Sequence, residues 1–327
     1  MAIYANAGAV FRADLSGVVV QTADWEKSLI GSRVAPVVNV DSKDGQYPVF
    51  DKTTAGLLKR RSNIQRANTA GYARGSSSWT QDTYATQEYG YEIPIDYNTI
   101  KDMSRFFSVE EITAMLAKRV PLLEQEIRVA AMTFNTSNYG SATNSGTAYT
   151  IGNIATFDVG LDIDLAKERL RAKGESADGL SVVMSSPVFN RIRASTKLQN
   201  RLRGIGIASD TILNVDEQAV AEALGVKEVL IGRNYYDVAL ENISFSGAAI
   251  WSNAYVWIGK LGTGGTPENM LAGGAQYSLN WSAYGSPLNV FTYDQPEINS
   301  EVVRASHHVS EKVVNANQGD LLDPQYS

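Results

Sequence analysis

One stretch constrains the fold of this chain more than any other: residues 108–135 read SVEEITAMLAKRVPLLEQEIRVAAMTFN. Its apolar residues recur every three or four positions, which is the period of one face of an α-helix. A helix over 109–134 would be about 39 Å long at about 1.5 Å per residue, longer than most helices of globular proteins. The sequence therefore predicts a long helix that supports the rest of the fold, which we call the beam. Its predicted apolar face is formed by Val109, Ile112, Leu116, Val120, Leu123, Ile127, Ala130 and Phe134.

The beginning and the middle of this helix carry separate signals. Ser108 followed three residues later by Glu111 is a capping box, in which each side chain hydrogen-bonds the backbone N–H of the other residue. Pro121 removes one helical hydrogen bond, and its ring clashes with the preceding turn. We expect either a kink near Val120 or two helices placed end to end.

Composition bounds the class of protein. A chain of 327 residues can bury a substantial core and is long enough for two domains. The 35 acidic residues exceed the 29 basic ones, which gives a net charge of −6 and no electrostatic reason for tight binding to duplex DNA. There is no cysteine, which excludes disulfides and thiolate metal sites and suits a reducing compartment. No signal peptide and no apolar run of membrane-spanning length is visible, so we expect a soluble intracellular protein.

The first 44 residues show only weak periodicity. Short apolar pieces, such as residues 18–20 and 34–38, are separated by polar residues. Two interpretations are open. This segment is either an arm that packs on something else, such as another subunit, or an ordinary αβ beginning whose pattern is hard to read.

Residues from about 45 to 97 have the pattern of a long two-stranded hairpin. The predicted return strand gives the clearest β signal in the chain, because Tyr89, Tyr91, Ile93 and Ile95 alternate with polar residues, glycine and proline. Pro94 cannot donate a ladder hydrogen bond, which predicts an edge strand or a bulge. A serine- and glycine-rich tip is predicted at residues 73–78.

Charge is divided between the two limbs of this predicted hairpin. The outgoing limb is basic, with Lys59, Arg60, Arg61 and Arg66, and the return limb is acidic, with Glu88 and Glu92. The charges could pair across the hairpin itself, or between neighbouring copies of a hairpin that has little core of its own. Nucleic-acid binding is a third and weaker interpretation, since no aromatic recognition motif accompanies the basic cluster.

The rest of the chain predicts alternating helices and strands. After a polar loop over 136–155 the pattern indicates helices near 161–173, 186–202 and 216–224. Strands are predicted at 180–184, 226–231, 248–258, within 276–294 and at 302–314. The fold class predicted from these elements is α+β.

No catalytic, cofactor or metal site is predicted. The only two histidines, His307 and His308, are adjacent in a predicted strand and therefore point to opposite faces. Residues 262–267 lack the lysine and hydroxyl ending of a phosphate-binding loop, and 203–209 lack the third glycine of a dinucleotide fingerprint. Residues 41–45 do not fit a calcium loop. Asp162 and Asp164 lie about 200° apart on a helix.

The order of elements resembles the major capsid proteins of tailed phages, the Hong Kong 97-type fold. The resemblance covers roughly residues 45–320. It rests on five segments in the right order, none of which is a catalytic signature: RVAAMTFN, SVVMSSPVFNRIRAS, VAEALGVKEVLIGRNYYD, AIWSNAYVWIG and SEKVVNANQGDLLDP.

The resemblance implies a division into five parts. These are an extended N-terminal arm at 1–44, a long β-hairpin called the E-loop at 45–100, a peripheral P-domain with the long spine helix at 101–156, an axial A-domain at 157–290, and P-domain return strands with the C-terminal tail at 291–327. Some members of the family cross-link a lysine to an asparagine between subunits, and no such site is matched here.

It also implies a function without enzymatic activity. The chain would assemble with itself into hexamers and pentamers of an icosahedral virion shell, built in the host cytoplasm around double-stranded DNA that it does not read. Scaffold and portal proteins would be partners, a decoration protein is allowed, and no membrane is involved. An encapsulin-type nanocompartment shell, which has the same fold, and a β-rich hydrolase are the alternatives.

Overall fold

The structure is a computed structural model that describes residues 10–12, 28–49, 80–104, 108–204, 215–239, 243–271 and 273–326, with isolated residues between 58 and 74. The helices of these residues are α1 Gly31–Val34, α2 Tyr97–Met103, α3 Val109–Thr133, α4 Thr136–Tyr139, α5 Val159–Ala172, α6 Ser186–Ala194, α7 Thr196–Gly204, α8 Glu217–Leu224 and α9 Glu268–Leu271.

The strands follow the same numbering along the chain. They are β1 Val10–Phe11, β2 Val37–Val40, β3 Asp44–Val49, β4 Thr80–Ala85, β5 Gln87–Asp96, β6 Thr143–Asn144, β7 Ser181–Ser185, β8 Glu228–Gly232, β9 Tyr235–Asp237, β10 Gly247–Ala249, β11 Val256–Gly259, β12 Gln276–Trp281, β13 Asn289–Gln295, β14 Ser300–Val313 and β15 Gly319–Asp323.

A six-stranded sheet is organised around the long strand β14. Along one edge β14 pairs antiparallel first with β13 and then with β12, and along the other edge it pairs with β5. β1 and β2 extend the sheet beyond β13 and β12. In the part of the chain that the structure describes, β5 pairs only with β14, so Pro94 lies on an edge strand, as its missing N–H predicts.

A second sheet has the order β6-β15-β11-β7-β8. Its strands β7 and β8 are parallel, and β11 joins antiparallel strands on both sides. Helices α5, α6, α7 and α8 bury their apolar residues against β7 and β8 in one large cluster.

The predicted cap of α8 is confirmed: Asp216 accepts the N–H of Ala219 at 2.8 Å, and Gly225 ends the helix with a φ of 59°.

Two predicted elements are interrupted in the structure. The helix predicted over 186–202 is broken at Ser195, where the backbone is extended (ψ 127°) and the side chain donates to the carbonyl of Phe157. The strand predicted over 248–258 is two strands, β10 and β11, separated by a turn around Trp251, whose indole is buried. The sequence pattern identified the type of secondary structure in both segments but not the break within each.

The interpretation of residues 1–44 as an arm packed on something else is wrong for residues 31–40. Val34, Ala35 and Val38 are fully buried within the chain itself. β2 lies parallel to β12, with Val38 opposite Leu279. Short apolar pieces interrupted by polar residues gave no periodicity here, because α1 and β2 are only four residues long each.

Helix α3 joins the cores of the two sheets. Near its beginning, Ala114 and Ala117 pack against the six-stranded sheet together with Val303 and Ala305. Near its end, Val129 and Ala130 share another cluster with residues of the second sheet and with Trp251. Helix α3 thus runs through both cores as one continuous helix, which is the structural role that its length predicts.

Candidate functional site

Ser108 caps helix α3. Its Oγ accepts the backbone N–H of Glu111 at 3.4 Å, so the hydroxyl half of the predicted capping box is present. Glu110 and Glu111 lie in the first turn, where the positive end of the helix dipole stabilises carboxylates. The guanidinium of Arg12 also pairs with Glu110 at 3.4 Å, which ties the β1 segment to this end of the helix.

Ser108→Ala should lower the free energy of unfolding of the free subunit by about 0.5–1 kcal/mol. The bond is long and exposed, which places the expected loss in the lower part of the usual range for caps. Chemical denaturation compared with Ser141→Ala, an exposed serine in the loop after α4, measures the effect. An equal loss in both variants would contradict a specific capping role for Ser108.

Pro121 lies inside one continuous helix, so the alternative of two helices end to end is wrong. The proline leaves the carbonyl of Ala117 without its helical donor. Both residues are buried against the rest of the subunit. Tertiary packing along the beam therefore offsets the cost of the proline.

The apolar face predicted for α3 is confirmed in the late half of the helix, where Ala130 and Phe134 lie in the core and Leu123 and Ile127 pack against it. The early half of α3 presents Ile112, Leu116 and Val120 to solvent, and Leu116 is 50% exposed. The buried positions at this level are the small residues Ala114 and Ala117, because a helix packs closely on a sheet where its side chains are small. We call Ile112, Leu116 and Val120 the apolar stripe. A row of large apolar side chains left on one helix face is typical of a protein-protein contact.

A buried carboxylate, Glu126, connects α3 with two other segments. It is 3% exposed, and it accepts the backbone N–H of Ile30 at 3.0 Å, the N–H of Gly31 at 2.5 Å and the indole N–H of Trp251 at 2.7 Å. Burial raises the pKa of this carboxyl, and the three hydrogen bonds oppose that shift. Its position beside Leu123 and Ile127 in the sequence gave no signal that it connects α3 with the segments around Gly31 and Trp251.

The predicted return limb of the hairpin is β5, and it belongs to the six-stranded sheet. Its partner is β14, with Glu88 opposite His308 and Glu92 opposite Arg304. Glu92 is ion-paired with Arg304 and accepts the hydroxyl of Tyr293. Among the described residues Glu92 therefore pairs with Arg304, whereas pairing of Glu88 with the basic limb stays a prediction, because Lys59 and Arg61 lie outside those residues. The alternation of apolar and polar residues identifies β5 as a strand, but it does not indicate which strand pairs with β5.

The hairpin that does form pairs β3 with β4, with Asp44 opposite Ala85 and Val49 opposite Thr80. Tyr47 donates to Asp82 at 2.9 Å across it. Most of the predicted tip and its approach, including Lys59 and Arg61, lies outside the described residues. Of the basic limb, Arg60 is exposed, and Arg66 stacks above the ring of Tyr72 and donates to its hydroxyl at 3.2 Å.

The two histidines lie on opposite faces of β14, as predicted. His307 faces α3 and is buried with its ring edge-on to Tyr89, and burial lowers its pKa to about 4. The guanidinium of Arg128, which stacks on Tyr89 and forms a bidentate pair with Glu311, adds to that shift. On the other face, burial lowers the pKa of His308. The two rings cannot hold one metal together.

No arrangement for catalysis emerges from the described residues. Within them, no group of three histidine, cysteine or carboxylate side chains could hold a metal ion. Asp162 is buried and accepts the hydroxyl of Tyr149 at 2.8 Å, whereas Asp164 is exposed and pairs with Lys167 and Arg201. A search of the same residues for a helix long and apolar enough to cross a bilayer finds none.

Comparison with known proteins gives matches in structure alone. No family model and no curated protein matches the chain. A phage-related protein of Bordetella bronchiseptica superposes with a TM-score of 0.68 at 18% identity, over 97% of this chain and 98% of that one. The capsid of cyanophage P-SCSP1u superposes at 0.57 and 10% identity, over 90% and 87% of the two chains. The mature capsid of bacteriophage PhiM1 superposes at 0.51 and 12% identity, over 90% and 86%.

This chain has the Hong Kong 97-type capsid fold. The predicted resemblance and the α+β class are thereby confirmed, since these matches cover nine-tenths of the chain or more. Helix α3 covers the residues for which the resemblance predicted a spine helix. The apolar stripe is a surface of α3 that the chain leaves exposed.

Proposed function

We propose that this chain is a major capsid protein, which assembles into an icosahedral shell of hexamers and pentamers around phage double-stranded DNA. The observation that carries the proposal is the similarity of fold to phage capsids along almost the whole chain. The apolar stripe supports it, because a subunit that completes its burial against neighbours keeps such a surface uncovered. The net charge of −6 suits a wall that encloses DNA without binding it tightly.

The proposal assigns roles to the parts of the chain. Residues 1–44 serve as the N-terminal arm, of which 31–40 pack within the chain itself. Residues 45–100 serve as the E-loop, although β5 at the end of that range pairs within the six-stranded sheet. The P-domain comprises 101–156 with the return strands and tail of 291–327, and the A-domain comprises 157–290. The C-terminal strand β15 pairs with β11 of the second sheet, so the tail links the two domains.

The partners follow from this role. The chain binds copies of itself, is guided by scaffold and portal proteins, and accepts a decoration protein on its outer surface. It acts as a structural protein of the virion, is not an enzyme, and assembles in the host cytoplasm. An encapsulin-type shell would have the same fold, and only its cargo would distinguish it.

Negative-stain electron microscopy of the purified chain, alone and with its scaffold, tests the proposal. We expect closed shells under crowding conditions or with the scaffold, and capsomers as intermediates. Analytical sedimentation gives the mass of the same species. A chain that stays monomeric in both measurements under every condition would falsify the proposal.

The basic limb, with Lys59, Arg60, Arg61 and Arg66, offers a second test, since the strand that carries Glu88 and Glu92 pairs with β14. We propose that they meet acidic groups such as Glu88 of a neighbouring copy. Reversal of Lys59, Arg60 and Arg61 to glutamate should leave the circular dichroism and proteolysis pattern of the free subunit unchanged. Shell yield should fall and become salt-sensitive: each exposed pair contributes only about 0–1 kcal/mol, but the shell repeats it many times.

The control for this reversal is Lys197→Glu, which changes an exposed lysine on α7, far along the chain from the hairpin. Wild-type shell yield of the triple variant at low and at high salt would contradict the proposed contact. A free subunit that loses its fold would instead show that the charges act within the chain.

A further inference from the structure

A cleft of about 280 Å³ lies on the face of the six-stranded sheet that points away from α3. Side chains alternate along β14, so Val303 and Ala305 face the helix and Ser306 and His308 face the cleft. Of the residues that line this cleft, only Glu88 has a role in the proposals above, as an acidic group that the basic limb of a neighbouring copy meets. The residues lining it are Glu88, Trp281, Ala283, Tyr284, Asn289, Phe291, Arg304, Ser306 and His308.

Two aromatic pairs form its walls. The rings of Trp281 and His308 meet edge to face, with centroids 5.1 Å apart and planes at 78°. Tyr284 and Phe291 meet in the same way at 5.3 Å and 73°. Edge-to-face pairs hold each ring in a fixed orientation. The cleft is therefore a preformed aromatic surface.

An unpartnered polar atom lies among these rings. Asn289 is 5% exposed, and its amide nitrogen donates to Ser282 Oγ at 3.3 Å. Its carbonyl oxygen Oδ1 accepts no hydrogen bond from any residue that the structure describes. A buried acceptor without a donor costs stability, and such atoms are uncommon in folded proteins. A ligand hydroxyl that enters the cleft donates to Asn289 Oδ1 the hydrogen bond that this oxygen lacks.

The charges around the cleft balance. Arg304 is paired with Glu92, and the ammonium of Lys43 lies 4.7 Å from the ring centroid of Trp281, on the same sheet face as Glu88. Burial lowers the pKa of His308 and so disfavours a charge on this ring, although the carboxylate of Glu88 opposes that shift. Two cations and two carboxylates favour a neutral ligand with several hydroxyl groups over an ion.

We propose that this cleft binds one pyranose ring of a neutral saccharide, such as a sugar of a cell-surface glycan. The C–H face of the ring packs on Tyr284 and Trp281, one hydroxyl donates to Asn289 Oδ1, and a second donates to Glu88. The volume accommodates one ring with its substituents, in the range of small-ligand sites. The site is formed by a single subunit and does not require assembly.

Saturation-transfer difference NMR on the full chain tests the proposal with small probes. The probes are the methyl glycosides of glucose, galactose and N-acetylglucosamine, at millimolar concentration. Nα-acetyl-lysine methylamide, whose side-chain ammonium is free, serves as a cationic side-chain analogue. We expect saturation transfer to at least one methyl glycoside and none to the lysine analogue. Tyr284→Ala should weaken glycoside binding about tenfold or more through loss of the stacking surface.

A matched control is available because Tyr284 and Tyr235 are 54% and 55% exposed, and Tyr235 lies outside the cleft on β9. Tyr235→Ala should bind the glycoside as the wild type does. Glu88→Gln, which preserves shape, should weaken binding while leaving the circular dichroism spectrum unchanged. Absence of saturation transfer to every glycoside, equal binding by Tyr284→Ala and the wild type, or binding of the lysine analogue alone would each overturn the proposal. The last result would assign the cleft to a protein side chain.

Discussion

Glu126→Ala is expected to lower the free energy of unfolding of the free subunit by about 3 kcal/mol or more. The change leaves three buried donors without an acceptor: the N–H groups of Ile30 and Gly31 and the indole of Trp251. Each buried donor left unsatisfied costs about 1–3 kcal/mol, and removal of a desolvated carboxylate returns only part of this. Chemical denaturation followed by tryptophan fluorescence measures the loss.

Two controls show whether the loss comes from these contacts. Glu126→Gln keeps one acceptor oxygen and should lose less, about 1–2 kcal/mol. A Cβ added at Gly31 would overlap Oε2 of Glu126, so Gly31→Ala should destabilise the wild type but cost less in the Glu126→Ala background. Additive losses, or a Glu126→Ala subunit as stable as the wild type, would show that the carboxylate does not hold these segments together.

The shifted pKa of Glu126 determines the direction in which the free energy of unfolding changes with pH. Burial raises the pKa of Glu126 above its unfolded value near 4.5, so the folded state binds its proton more tightly than the unfolded state. The associated stability is present below pH 4.5 and is lost as pH rises through the folded pKa. Relative to Glu126→Gln, the wild type should therefore become less stable as pH increases through this window. The opposite slope would mean that the hydrogen bonds outweigh the cost of burial.

Much of the fold could be predicted because its signals are local. The cap at Ser108, the cap at Asp216 with its glycine stop, and the alternation of Tyr89 to Ile95 each identify one element and one of its ends. Local chemistry alone decides such features, and they appear in the structure where the sequence places them.

The parts that could not be predicted depend on contacts distant in the chain. Nothing in the alternation of β5 indicates that Glu92 pairs with Arg304 rather than with the basic limb. The buried face was misassigned in the early half of α3, because the sheet selects the small residues Ala114 and Ala117, which a periodicity of large apolar residues ignores. Glu126 is a single carboxylate in an amphipathic pattern, and only the approach of Trp251 and of the backbone of Ile30 and Gly31 gives it a role.

The exposed stripe leads to the largest effect expected on assembly. Leu116→Glu should abolish shells while changing the free energy of unfolding of the free subunit by no more than about 0.5 kcal/mol. Leu116 is half exposed in the subunit, so a charge there remains hydrated until a neighbour covers it. Burial of an unpaired carboxylate in a subunit contact costs several kcal/mol, and a shell repeats that cost at every copy. Electron microscopy and sedimentation, with denaturation of the free subunit, measure both effects.

Leu161→Glu is the matched control, because Leu161 is 53% exposed on α5, and α5 is not part of the stripe. Equal loss of shells in both variants would show a general sensitivity to surface charge rather than a contact on the spine helix. A Leu116→Glu subunit that unfolds on its own would show that another part of the same chain covers the stripe. If shells form at wild-type yield with a glutamate at position 116, the apolar stripe faces solvent in the assembled wall, and the contacts that close it lie elsewhere on the subunit.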